Sequence, residues 1–113
     1  MTWALAGIAS TINSIAVAAK LSFIRGSSDL DAQLRSRGIE SLLIAGTATN
    51  VCCESNARDA MMLDYRVVML SDATAANTLE EHVASLNTVA LYFADVMTVD
   101  EALQRMVPVT AVA

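Results

Sequence analysis

The sequence predicts an α/β fold, a parallel sheet flanked by helices, on three observations. The runs 41–45 and 66–70 are short and nearly continuously apolar, as expected of strands buried on both faces. Segments with helical spacing lie between and after these runs, and strand–helix–strand alternation implies right-handed crossovers and parallel pairing. Capping signals stand at the helix starts: Ser28 with Asp31, Thr78 with Glu81 and Thr98 with Glu101. At 113 residues the chain has room for one core and one domain.

Taken in order, the first helix is expected over about 29–37, with Leu30 and Leu34 on one face and Gly38 as its stop. Ser41 to Ala45 forms the first confident strand and ends at Gly46, and a helix runs from Val51 to Leu63. Asp64-Tyr65 turns the chain into the strand Arg66 to Leu70. In the long helix after Thr78, Leu79, Val83, Leu86, Ala90 and Phe93 mark an apolar face. A further strand is expected near Val96 to Thr98, then a last helix carrying Ala102, Leu103 and Met106 before Pro108. Three strands make a narrow sheet for a fold buried on both faces. Either the N-terminal residues add strands, or another subunit covers an edge, or the chain is the C-terminal portion of a longer fold.

Composition excludes several functions. Hydrophobic residues make up 55% and charged residues 17%, too apolar for a disordered segment. Seven basic against twelve acidic side chains give a net charge of −5, which repels phosphate backbones and anionic membranes, so no nucleic acid and no membrane partner is expected. Every acidic residue lies between Asp29 and Glu101, and residues 1–19 carry no charge. The chain therefore reads as a divergent apolar segment, 1–22, joined to a domain over 23–113. Thr2 to Ala19 approaches the length of a membrane span, and Ala16-Val17-Ala18 has the form of a leader cleavage site. Ser10, Thr11, Asn13 and Ser14 interrupt the run, however, and no Lys or Arg precedes it. The two cysteines, Cys52 and Cys53, are adjacent and cannot staple distant segments, which favours a reducing, cytoplasmic setting.

Chemistry concentrates at Gly46-Thr47-Ala48-Thr49-Asn50-Val51-Cys52, where a buried strand ends, a small-residue loop follows and a cysteine stands in the first turn of a helix. Ligands of open α/β sheets bind at the carboxyl ends of strands. Helix starts stabilise a thiolate, and their N–H groups can hold the oxyanion formed when it attacks a carbonyl. The alternative is that Cys52 is a small buried hydrophobe, as free cysteines often are. Thr49 or Asn50 also suits the N-cap of an ordinary helix.

The stretch Gly46 to Ser55, continuing through Ala57-Arg58-Asp59-Ala60, resembles the nucleophile motif of the isochorismatase-like cysteine hydrolases. Within them it is most similar to the amidohydrolase branch that includes ureidoacrylate, biuret and N-carbamoylsarcosine hydrolases. The likeness runs from about Phe23 to Leu103 and takes in Gly26 to Leu30, Ser71 to Ala75, Glu80-Glu81-His82 and Asp95 to Thr98. It implies a Rossmann-like parallel sheet, here an incomplete isochorismatase-like fold, and a small-molecule amide or ureide as substrate. Cys52 would be the nucleophile, a cis peptide would join Thr47 to Ala48, and the N–H groups of Ala48 and Cys52 would form the oxyanion hole. Thr49, Asn50 and Glu54 would line the substrate pocket. A homo-oligomer is expected, with no organic cofactor and no metal.

The rest of the implied triad does not carry over. The family's Asp general base belongs soon after the first strand, and residues 1–28 contain no acidic side chain. The family's Lys falls six residues before the position of Phe23, where this chain has Val17. Lys20 is either that residue, displaced by three, or a solvated surface lysine.

Other residues have plainer readings. His82, the only histidine, is expected at the surface, Cys53 in the core, and Glu54, Arg58 and Asp59 in ion pairs. Met61, Met62 and Met69 read as core filler. Phosphate-loop, zinc-site and Ser-His-Asp patterns are absent from the sequence. Two functions remain open: a cysteine amidohydrolase that needs an acid/base group from elsewhere, and a truncated, catalytically silent α/β module that self-associates.

Overall fold

The structure, a computed structural model, describes residues 3–5, 15–18 and 29–108, with side chains over 29–106. Four parallel strands form its main sheet in the order β2-β3-β4-β5: Ile15–Ala18, Ser41–Thr47, Arg66–Ala75 and Asp95–Met97. A short antiparallel pair, β1 (Trp3–Leu5) with β6 (Met106–Pro108), lies outside that sheet. The helices are α1 (Leu30–Ser36), α2 (Glu54–Met62), α3 (Leu79–Tyr92) and α4 (Val99–Arg105), and a π-helical turn, Thr49–Cys53, leads into α2.

The α/β parallel architecture agrees with the sequence reading, and the apolar segment before residue 22 contributes β2, paired in register with β3 from Ile15 opposite Ser41 to Ala18 opposite Ile44. Side chains of β3 and β4 alternate between two cores. Leu42, Ile44, Val67 and Met69 pack with α1, α2 and α3 through Leu30, Leu34, Ala57, Ala60 and Val89. Leu43, Val68 and Leu70 pack on the other face with Met97 and Ala102 of α4. Burial on both faces explains why these runs show no polar alternation.

Helix ends follow local chemistry. The capping boxes predicted for α3 and α4 are formed: Thr78 Oγ1 accepts from the Glu81 amide at 3.2 Å and Thr98 Oγ1 from the Glu101 amide at 3.1 Å, with each glutamate reaching back to the cap amide. α1 and α2 close with the same pattern of carbonyl capping, in which Gly38 (φ 68°) and Asp64 (φ 66°) adopt left-handed backbone.

Several expectations are corrected. α1 begins after Asp29, whose side chain makes no backbone cap and instead accepts from Gln33 Nε2 at 2.8 Å; Ser28 lies outside the described residues. β4 extends to Ala75, five residues past the expected Leu70. Met106 belongs to β6 rather than to the last helix, because the backbone turns extended ahead of Pro108. The buried residues of α3 are Ser85 and Val89, and Leu79, assigned to the apolar face, is 72% exposed. Met62 is exposed at the end of α2, whereas Met69 is buried on β4. Among the described residues, no helix is long and apolar enough to cross a membrane.

Candidate active site

β3 lies between β2 and β4, so its carboxyl end opens onto the middle of the sheet, where parallel α/β folds place ligands. The pairing with β4 is irregular between Ile44 and Gly46, and Gly46 has φ 132°, a backbone state that a side chain would strain. The Thr47–Ala48 peptide is cis. Ala48 is extended (φ −93°, ψ 146°), and its carbonyl accepts from the amides of Val51 and Cys53, each at 3.2 Å. The Val51 bond is tight and the Cys53 bond wide, which is the geometry of a π-type first turn.

This turn divides the two cysteines. Cys52 is exposed at the start of the continuous helical run 49–62. Cys53 is buried beside Leu42 and Ile44 in the core, as the sequence predicts. Burial pushes the Cys53 thiol up, and the neighbouring Cys52 adds to the rise, so Cys53 is held as an inert thiol.

Thr49 opens the turn and is fully buried. Its Oγ1 lies 2.7 Å from Nδ1 of His82, and Nε2 of the same ring lies 3.1 Å from the carbonyl oxygen of Ser71 in the middle of β4. Ser85, one turn along α3, sets its hydroxyl between Glu54 Oε1 at 2.8 Å and the Thr49 carbonyl at 3.2 Å. His82 is therefore a bridge between three elements, and its expected surface role is corrected. The sequence carried one signal of this: polar His82 and Ser85, three residues apart, interrupt an otherwise apolar helix face.

Glu54 has both carboxylate oxygens engaged, Oε1 by Ser85 and Oε2 by Arg58 Nη2 at 3.3 Å. Arg58 also stacks its guanidinium 4.4 Å from the centre of the Phe93 ring. Asn50 and Glu54 line an open depression of about 260 Å³ with Glu81, Ala84, Ser85 and Thr88 of α3. Cys52 is not part of its wall. Lys20 lies outside the described residues, and among the described residues no group of three or more His, Cys, Asp or Glu is arranged to hold a metal.

The sequence profile of the isochorismatase domain matches residues 19–101. The chain belongs to the isochorismatase family. One family relative, the ureidoacrylate amidohydrolase RutB of Variovorax paradoxus, is 45% identical over 87 residues, covering 74% of this chain and 34% of its own length. The uncharacterized isochorismatase family protein YwoC of Bacillus subtilis is 38% identical over 78 residues, covering 69% of this chain and 41% of its own. Among solved structures, an isochorismatase-like hydrolase from Alkaliphilus metalliredigens superposes with a TM-score of 0.68 at 42% identity, covering 72% of this chain and 45% of that one. A nicotinamidase from Staphylococcus aureus superposes with a TM-score of 0.62 at 26% identity, covering 65% of this chain and 46% of that one. The chain thus spans less than half the length of these isochorismatase relatives.

Proposed function

We propose that this chain carries the nucleophile of an isochorismatase-family cysteine amidohydrolase, with Cys52 attacking the carbonyl carbon of a small amide or ureide. The observation that carries this reading is the exposed Cys52 thiol in the first helical turn beyond the carboxyl end of a central parallel strand. The similarity to RutB supports the substrate class.

In this mechanism Sγ forms a bond to the carbonyl carbon, and the carbonyl electron pair moves onto oxygen, where the N–H groups of Ala48 and Cys52 receive it. Collapse breaks the carbon–nitrogen bond, and the nitrogen leaves with a proton. The resulting thioester then takes up water, the carbon–sulfur bond breaks, and the acid departs while sulfur regains its proton. Both half-reactions move protons. Residues 1–28 supply no carboxylate for this, so turnover depends on an acid/base group supplied from elsewhere. Self-association in the cytoplasm belongs to the same reading, since Leu79, Leu91 and Tyr92 of α3 are each more than 70% exposed and offer apolar surface to a second copy.

The test is intact-mass analysis of the folded chain with a panel of ureides and primary amides, alongside assay of ammonia release. An acyl adduct on Cys52 that disappears in Cys52→Ser supports the reading. If no panel member forms one, the catalytically silent module takes its place.

A further inference from the structure

The hydrogen bonds around His82 fix its tautomer. The Ser71 carbonyl can only accept, so Nε2 carries the ring proton and donates across 3.1 Å. In the neutral ring Nδ1 is then an acceptor, and the Thr49 hydroxyl donates to it across 2.7 Å. The arrangement satisfies a hydroxyl that is fully buried and ties Thr49, three residues before Cys52, to the middle of β4 through one rigid ring. Ser85 secures the same turn through the Thr49 carbonyl. The turn's own bonds to the Ala48 carbonyl are both 3.2 Å long.

We propose that His82 is a positioning residue for Cys52: the neutral, Nε2-protonated imidazole clamps Thr49 onto β4 and thereby fixes the turn that aims the Cys52 thiol. This rests on the reading of Cys52 as nucleophile. The ring never touches the substrate; it acts through Thr49. Because Cys52 is already exposed, loosening the turn gains it no access and removes only the order that aims its thiol.

Two ring nitrogens allow the two contacts to be separated. In His82→Asn the side-chain oxygen stands at the position of Nδ1 and can still accept from Thr49. In His82→Gln the amide nitrogen stands at the position of Nε2 and can reach only Ser71. Thr49→Val removes the hydroxyl at nearly constant shape. Alkylation by iodoacetamide, followed at Cys52 and Cys53 in the same molecules by peptide mass spectrometry, reads the outcome. His82→Gln and Thr49→Val are expected to slow Cys52 about fivefold, the worth of one hydrogen bond, while Cys53 stays protected. The double variant is expected to slow it no further, and His82→Asn is expected to retain most of the wild-type rate. General loosening of the fold would instead expose both thiols. The ring signals of the single histidine, read by ¹⁵N NMR, are expected to show protonated Nε2 and bare Nδ1 in the wild type. A wild-type Cys52 rate in both His82→Gln and Thr49→Val, or an Nδ1-protonated neutral ring, overturns the clamp. Failure of acyl-adduct formation with the clamp signals intact would sink the hydrolase reading alone.

Discussion

Cys52 and Cys53 share a peptide bond yet fall on opposite sides of the core boundary, Cys52 exposed and Cys53 only 4% accessible beside Leu42, Ile44 and Ala57. A step of about 100° per helical residue is enough to make this division. Iodoacetamide is therefore expected to modify Cys52 in the folded protein and to spare Cys53, whose thiol is additionally held protonated by burial. Peptide mass spectrometry before and after addition of urea checks this. Equal labelling of both thiols under native conditions would contradict the placement of Cys53 in the core.

How far the sequence could be read depended on whether the cause was local. Leu42 to Ile44 and Val67 to Leu70 revealed buried strands because burial on both faces leaves no polar alternation. The boxes at Thr78 and Thr98 were legible because cap and partner lie three residues apart. Cys52 was legible as a candidate from its position after a strand and at a helix start. The buried face of α3 was not. Ser85 is buried and Leu79 exposed because partners for the Ser85 hydroxyl, Thr49 and Glu54, lie more than thirty positions away in sequence. The bridging place of His82 is hidden in the sequence for the same reason: Thr49 and Ser71 reach it only once β3 and β4 are side by side.

The matched ends of α1 and α2 give a paired prediction. Gly38 and Asp64 occupy equivalent left-handed positions, their amides bonding to Arg35 and Met61 carbonyls at 3.0 Å each. A side chain in this conformation costs about 1–2 kcal/mol, less for Asp, whereas glycine carries no such penalty. Gly38→Ala is expected to lower stability by about 1 kcal/mol, and Asp64→Gly to raise it by up to about 1 kcal/mol. Urea midpoints at unchanged slope read both. Two shifts of the same sign would contradict the equivalence.

Two methionines separate core from surface. Met69 is 0% exposed at the centre of β4 and Met62 is 74% exposed at the end of α2. Met69→Ala is expected to cost about 2–5 kcal/mol, since removing a buried side chain forfeits transfer energy and leaves a cavity. Met62→Ala is expected to stay within about 0.5 kcal/mol of wild type. Thermal unfolding of the two variants side by side distinguishes them, and a large loss in Met62→Ala would mean that this surface is covered in solution.

Tyr65 gives the stability of the fold an alkaline limit. Its hydroxyl donates to Asp31 Oδ1 at 2.6 Å, and the Arg35 guanidinium lies 4.4 Å from its ring centre while donating to the Leu63 carbonyl. Burial, then the hydrogen bond to Asp31 and the charge of Asp31, push the phenol up to about 12 from an ordinary value of 10.0, with Arg35 opposing the rise. Below the ordinary value both folded and unfolded chains keep the proton, and the contribution to stability is fully present. Between 10.0 and about 12 the unfolded chain gives up the proton while the folded chain retains it, so stability falls as pH rises through this window. Tyr65→Phe removes the titration together with the hydrogen bond to Asp31. The variant is expected to be less stable than wild type by about 1 kcal/mol near neutral pH, the worth of the bond. Its stability is expected to decline less steeply above pH 10.0, so that the two curves converge. Urea unfolding of both proteins at a series of alkaline pH values measures the gap, and a gap that stays constant across the window would show that Asp31 does not hold the Tyr65 proton in the folded state.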